Sequence, residues 1–172
     1  EMLLKDGRKA FFENETINYA PHYQAYLWAC FLWAYEQTGE PLYLERARTA
    51  IRMTLAAYPH TWRWTNGLQQ ERSRMLLALA WLVRVQDTAE HRRWLKEMAQ
   101  ELLVYQDSCG AIREALGEAG QGQYKPPASN QAYGTNEAPL IQSNGDKVSD
   151  LLYTSNFALL GLHEAAAATG DI

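Results

Sequence analysis

The sequence predicts an all-α fold built from antiparallel helical hairpins, with the long loops gathered on one face. Three observations carry this. Apolar residues recur at helical spacing through five segments. Those segments alternate between apolar-all-round and one-sided patterns. The connections alternate too, two to four residues inside a hairpin and long and polar between hairpins.

The first helix spans about Pro21 to Thr38, with Tyr23, Tyr26, Leu27, Cys30, Phe31 and Ala34 at i, i+3, i+4 spacing. Gly39 reads as its stop and Pro41 as the first residue of the second helix. That helix turns Tyr43, Ala47, Ile51 and Thr54 one way and Glu45, Arg46, Arg48 and Arg52 the other. Asn66 with Gln69 reads as a capping box opening a third helix that reaches Gln86, apolar nearly all round from Met75 to Val83. Asp87 with Glu90 reads as another box, opening a fourth helix to Tyr105 with a stripe of Trp94, Leu95, Met98 and Leu102. A fifth helix runs from Asp150 to Thr169 and ends in "TGD", an echo of "TGE" at Thr38 to Glu40.

The loops are the unusual part. In an array of antiparallel hairpins, all connections between hairpins fall at one end. The segments 1–20, 59–65 and 106–149 therefore converge at the N-terminal ends of the buried helices, and loops that long in a compact domain are usually functional or disordered. Positive helix-dipole ends favour anionic groups there.

At 172 residues the chain is one domain's worth, here a single unit 1–172 with a long loop insert at 107–149. Its net charge of -4, with acids and bases interspersed, excludes a nucleic-acid footprint. "MLLALAWLV" is too short to span a membrane, so no membrane partner is expected. The start lacks the features of a signal peptide, and both ends read as cut. Two cysteines make no disulfide framework: Cys30 reads as a small core residue, Cys109 as an exposed one. The four histidines show no metal-binding spacing and no Gly-rich phosphate loop is present, so neither a metal nor a cofactor is expected.

The stretches "TGEPLYLERARTAI", "GLQQERSRMLLALAWLV" and "SDLLYTSNFALLGLHEAAAATGD" resemble, in their alternation, part of an (α/α) toroid of the six-hairpin glycosidase superfamily. The resemblance covers most of the chain and implies inner and outer helices, with carbohydrate bound at the inner helices' N-terminal face. A full toroid is about twice as long, so the resemblance implies a partial one, completed by the remainder of a larger chain or by a homo-oligomer. The implied activity is glycoside hydrolysis, with an oligo- or polysaccharide substrate.

Glycoside hydrolysis needs a protonated acid and a second carboxylate. Candidates in the converging loops or first helical turns are Glu114, Glu137, Asp146 and Asp150, with Glu71 behind them. Each has a plainer reading: Asp150 as a helix cap, Asp146 as a turn residue, Glu71 as an ion-paired surface residue beside Arg72 and Arg74. Glu114 and Glu137 have no obvious structural task and lead. "HTWRWTN" supplies His60, Trp62, Arg63 and Trp64 for sugar stacking and hydroxyl contacts, one Trp expected buried and the other exposed. Tyr133, Asn136 and Asn144 extend the same surface, Asn side chains suiting hydroxyls. Trp28, Trp33, Trp81 and Trp94 read as core, and His91 as solvated. Two alternatives remain: a polysaccharide lyase using His60, Arg63, Tyr133 and Asn136, and a non-catalytic helical-repeat binding module.

Overall fold

A computed structural model describes residues 19–64, 67–117 and 147–170 of the chain. These form α1 (Pro21–Thr38), α2 (Pro41–Ala56), α3 (Leu68–Val85), α4 (Ala89–Leu103) and α5 (Asn156–Thr169). One π-helical turn, Leu151–Ser155, leads into α5. There is no strand among the described residues, only an antiparallel bridge between Gln106 and Ile112. The fold is all-α, as the periodicity predicts. None of these helices is long and apolar enough to cross a membrane.

The echo of "TGE" and "TGD" is structural. Gly39 (φ 69°) and Gly170 (φ 75°) both take the left-handed conformation that ends a helix, donating to the Tyr35 and Ala166 carbonyls. Thr38 and Thr169 each return a hydroxyl to the carbonyl four residues back. After Gly39 the chain restarts at once: Glu40 accepts from the Leu42 N–H, and Pro41 needs no N–H partner in the first turn.

Helix α3 is the hub, packing most extensively on α5 and α1 and then on α4. Its direction relative to its neighbours follows from residue pairs. His22 and Tyr26 of α1 meet Glu71 and Arg74 of α3. Ser73 and Leu76 meet Thr154 and Gly161, and Arg84 pairs with Glu164 at 2.8 Å. Sequence numbers rise together in each case, so α1, α3 and α5 run parallel and their N-terminal ends lie at one end of the molecule. A Cβ on Gly161 would lie 2.6 Å from the Leu76 Cβ, so α3 and α5 touch there at backbone distance. The outer helices bury one face each: Ala47, Ile51 and Thr54 on α2, and His91, Leu95, Met98, Ala99 and Leu102 on α4.

Several local expectations are corrected. The N-cap of α3 is Gly67, with no side-chain cap of its own; Asn66 lies outside the described residues. The N-cap of α4 is Thr88, whose hydroxyl accepts from the His91 N–H, while Asp87 instead grips Arg92 through two contacts of 2.5 and 2.6 Å. His91 is buried, its Nδ1 2.7 Å from the Gln86 carbonyl. Cys30 and Trp33 are exposed rather than core. They line an apolar groove of about 460 Å³ with Tyr26, Leu77, Trp81, Phe157 and Leu160. The helical stripe of α1 is wide enough to face both its neighbours and this groove.

A polar cluster ties α3 to the outer layer. Arg72 donates from Nε to the Tyr58 hydroxyl at 2.7 Å and from Nη2 to Glu101 at 3.2 Å, between the rings of Tyr58 and Tyr105. The Tyr58 hydroxyl donates to the same Glu101 oxygen. Burial, and then that bond, push the Tyr58 hydroxyl far above its usual range of ionisation.

Candidate functional site

Six successive residues of α3, Gln69 to Arg74, are polar and buried. A helix enclosed on all sides normally carries apolar residues there, so their polarity at the N-terminal end needs partners or a ligand.

Glu114 reaches this end through the loop after α4. That loop turns at Gly110 (φ 90°), pairs Gln106 with Ile112, and bonds the Glu114 N–H to the Val148 carbonyl at 2.8 Å. The Ala115 carbonyl accepts from the Leu68 N–H at 2.7 Å. The Glu114 Oε1 accepts from the N–H groups of Gln69 (2.8 Å) and Ala115 (3.1 Å), and its Oε2 bonds the Thr154 hydroxyl. Glu114 is thus the cap of α3, delivered from 45 residues away. Gly67 makes room for it: a Cβ there would fall 2.3 Å from the Glu114 carboxyl carbon. Burial is the larger force on its proton, outweighing these bonds and pushing the carboxyl up to about 7.

Glu71 lies in the first turn of α3 and is fully buried. Its Oε1 is 3.3 Å from the His22 Nδ1. Burial raises its affinity for a proton, with His22 and then Arg74 pulling the other way. Its charge also reaches Glu114 and adds to the rise there. The two carboxyls are therefore electrostatic neighbours in a buried, low-dielectric interior, a condition typical of functional sites.

Around them, several buried polar atoms have no hydrogen-bond partner among the described residues. They are both amide atoms of Gln69, the Gln70 Oε1, the Trp64 Nε1, the Tyr26 hydroxyl and the Arg74 Nε. Native proteins leave few such groups. Their concentration at one end of α3 is what distinguishes this place from the remainder of the core.

The residues singled out from sequence fall unevenly. Asp150 caps the π-turn, accepting from the Leu152 and Tyr153 N–H groups, and receives the Gln70 Nε2 at 3.2 Å. It stands beside the cluster. Trp62 and Trp64 are both buried, so the expected exposed indole is not found. Trp62 is a plug, its Nε1 bonded to the Thr54 carbonyl at 2.7 Å and its ring edge-on to Tyr58. His60 and Arg63 are exposed. Glu137, Asp146, Tyr133, Asn136 and Asn144 lie outside the described residues. Glu71, His22 and Arg74 are the members that sequence reasoning undervalued; the signal available was three charged residues within four positions of a helix otherwise buried. No group of three or more His, Cys, Asp or Glu among the described residues is placed to hold a metal ion.

The chain matches no protein-family model, no curated protein and no solved structure.

Proposed function

We propose that the three parallel inner helices belong to an (α/α) toroid and that the protein is a carbohydrate-active hydrolase, working through Glu71 and Glu114. The carrying observation is the pair of buried carboxyls at the shared N-terminal end of α1, α3 and α5, the Glu71 charge adding to the rise at Glu114. Splitting a glycosidic bond needs a proton for the leaving oxygen and a second carboxyl to act as base or nucleophile. Glu114 holds its proton up to about pH 7 and suits the acid role. Glu71, oriented by His22, suits the second: burial raises its proton affinity, and His22 and then Arg74 oppose that rise and favour its anion. The unpartnered Gln69 amide and the free Gln70 Oε1 offer hydroxyl-binding groups beside them.

The test is saccharide turnover by the parent, Glu71→Gln and Glu114→Gln, read as new reducing ends. Each amide keeps the shape of its side chain, and each is expected to bind saccharide and lose on the order of a hundredfold or more in rate. Unimpaired turnover by both variants would remove the paired-carboxyl mechanism.

The His22–Glu71 contact favours one second reading, a lyase in which a carboxylate-oriented histidine removes a proton next to a uronate carboxyl. Its products are unsaturated and absorb in the ultraviolet, whereas hydrolysis products do not.

A further inference from the structure

Arg74 is 8% exposed, and among the described residues it makes no hydrogen bond and no ion pair. Its guanidinium is held by rings alone: Phe157 of α5 at 4.2 Å and Tyr26 of α1 at 5.6 Å from its central carbon. Three inner helices thus cooperate to fix one cation whose hydrogen-bonding edge is unused. Glu71, three residues earlier on the same helix, is near enough to feel its charge. A buried charge left without a bonded counterpart is costly, and such groups are normally paired. Aromatic clamping orients the guanidinium plane, and a planar fork so held matches a carboxylate through two parallel bonds.

We propose that the saccharide taken by this site carries a carboxylate, received by Arg74. This rests on the sugar-active reading above and names its substrate class: acidic glycans built from hexuronate units rather than neutral ones. It also sets a geometry. Arg74 lies one helical turn inward from Glu71, so the carboxylate enters first and the bond to be broken stays at the level of Glu71 and Glu114.

The test is binding by calorimetry, using oligogalacturonate, oligoglucuronate and oligomannuronate, the same oligomers with their carboxyls methyl-esterified, and neutral cello- and xylo-oligosaccharides. The parent should prefer at least one free acid over its own ester by on the order of tenfold to a hundredfold, the strength of hydrogen bonding to a charged group. Arg74→Met should erase that preference, and Arg74→Lys, which keeps the charge but not the fork, should restore part of it. Thermal melts of both variants check that the fold survives. If the parent binds neutral and esterified oligomers as tightly as acids, the carboxylate inference falls while the sugar reading stands. If it prefers acids and Arg74→Met keeps the preference, Arg74 is not the receiver. If none of the panel binds, the sugar reading fails and takes this inference with it.

Discussion

Arg72 and Arg74 stand two residues apart on α3, and each lies between two aromatic rings from different elements. They differ in everything else. Arg72 faces the outer layer and is bonded to Tyr58 and Glu101, leaving only its Nη1 without a partner. Arg74 faces the inner layer and is bonded to nothing among the described residues. The first is a structural rivet, closed on itself. The second belongs to a region whose polar groups outnumber their partners. The contrast teaches that burial and charge alone do not mark a site; unfilled hydrogen-bonding capacity does.

The largest expected effect tests whether the open region is nonetheless rigidly framed. Gly67→Ala places a Cβ 2.3 to 2.4 Å from three Glu114 atoms. The backbone there is extended and tolerates any residue, so the penalty is purely steric. Displacing Glu114 removes the cap of α3 as well, and the sum should be about 4 kcal/mol in chemical denaturation. A loss below about 1 kcal/mol would mean that Glu114 swings away freely and is no frame.

Next is pH. The Glu114 carboxyl holds its proton to about pH 7 in the fold, against a reference value of 4.5. Because the folded value is the higher one, its contribution to stability is complete below about pH 4.5 and is lost as pH rises through 7. The full loss is about 3 kcal/mol. Glu114→Gln cannot ionise and keeps an acceptor for the two N–H groups. The gap between parent and variant should therefore close or invert in favour of the variant between pH 5 and pH 8, measured by denaturant midpoints. Parallel curves would place the Glu114 titration elsewhere.

The two arginines then separate directly. Arg72→Met strips partners from Tyr58 and Glu101 and should cost about 2 kcal/mol, part of the Glu101 contribution being screened because that carboxylate is half-exposed. Arg74→Met removes an unbonded buried charge, and its stability change should lie within about 1 kcal/mol of zero, the lost ring contacts offsetting the relieved desolvation. Equal losses would erase the distinction between rivet and receiver.

How much of this was legible depends on the length scale of the signal. The bounds of α1, the Gly39 stop and the Pro41 restart were, because each rests on chemistry within four residues. That the N-terminal ends of α1, α3 and α5 lie together follows from the alternation of short and long connections. Glu114 has no obvious task among its sequence neighbours, because its task is to cap a helix 45 residues away. The capping box read at Asn66 and Gln69 differs for the same reason: the Gln69 N–H is taken by Glu114 rather than by a local side chain. Beside Arg72 and Arg74, Glu71 reads as part of a wet face, whereas α3 is wrapped on both sides and all three are buried. Periodicity reports which residues are apolar and cannot report that polar ones are enclosed.

The smallest effect concerns Asp150, which sits on the boundary between the two kinds of region. Its Oδ1 accepts two N–H bonds of the π-turn at 3.0 and 2.9 Å, and its Oδ2 receives Gln70. Structurally it behaves like the Arg72 cluster, closed on its partners, yet Gln70 places it against the open one. Asp150→Ala should cost about 1 kcal/mol as a lost cap, and Asp150→Asn should recover most of it. Turnover then decides which side it belongs to. If Asp150→Asn melts and turns over like the parent, the residue is a cap whose neighbourhood is incidental. If its stability is kept and its rate falls on the order of a hundredfold, Asp150 joins Glu71 and Glu114 as a third working carboxyl. The open region would then extend from α3 across to the start of α5.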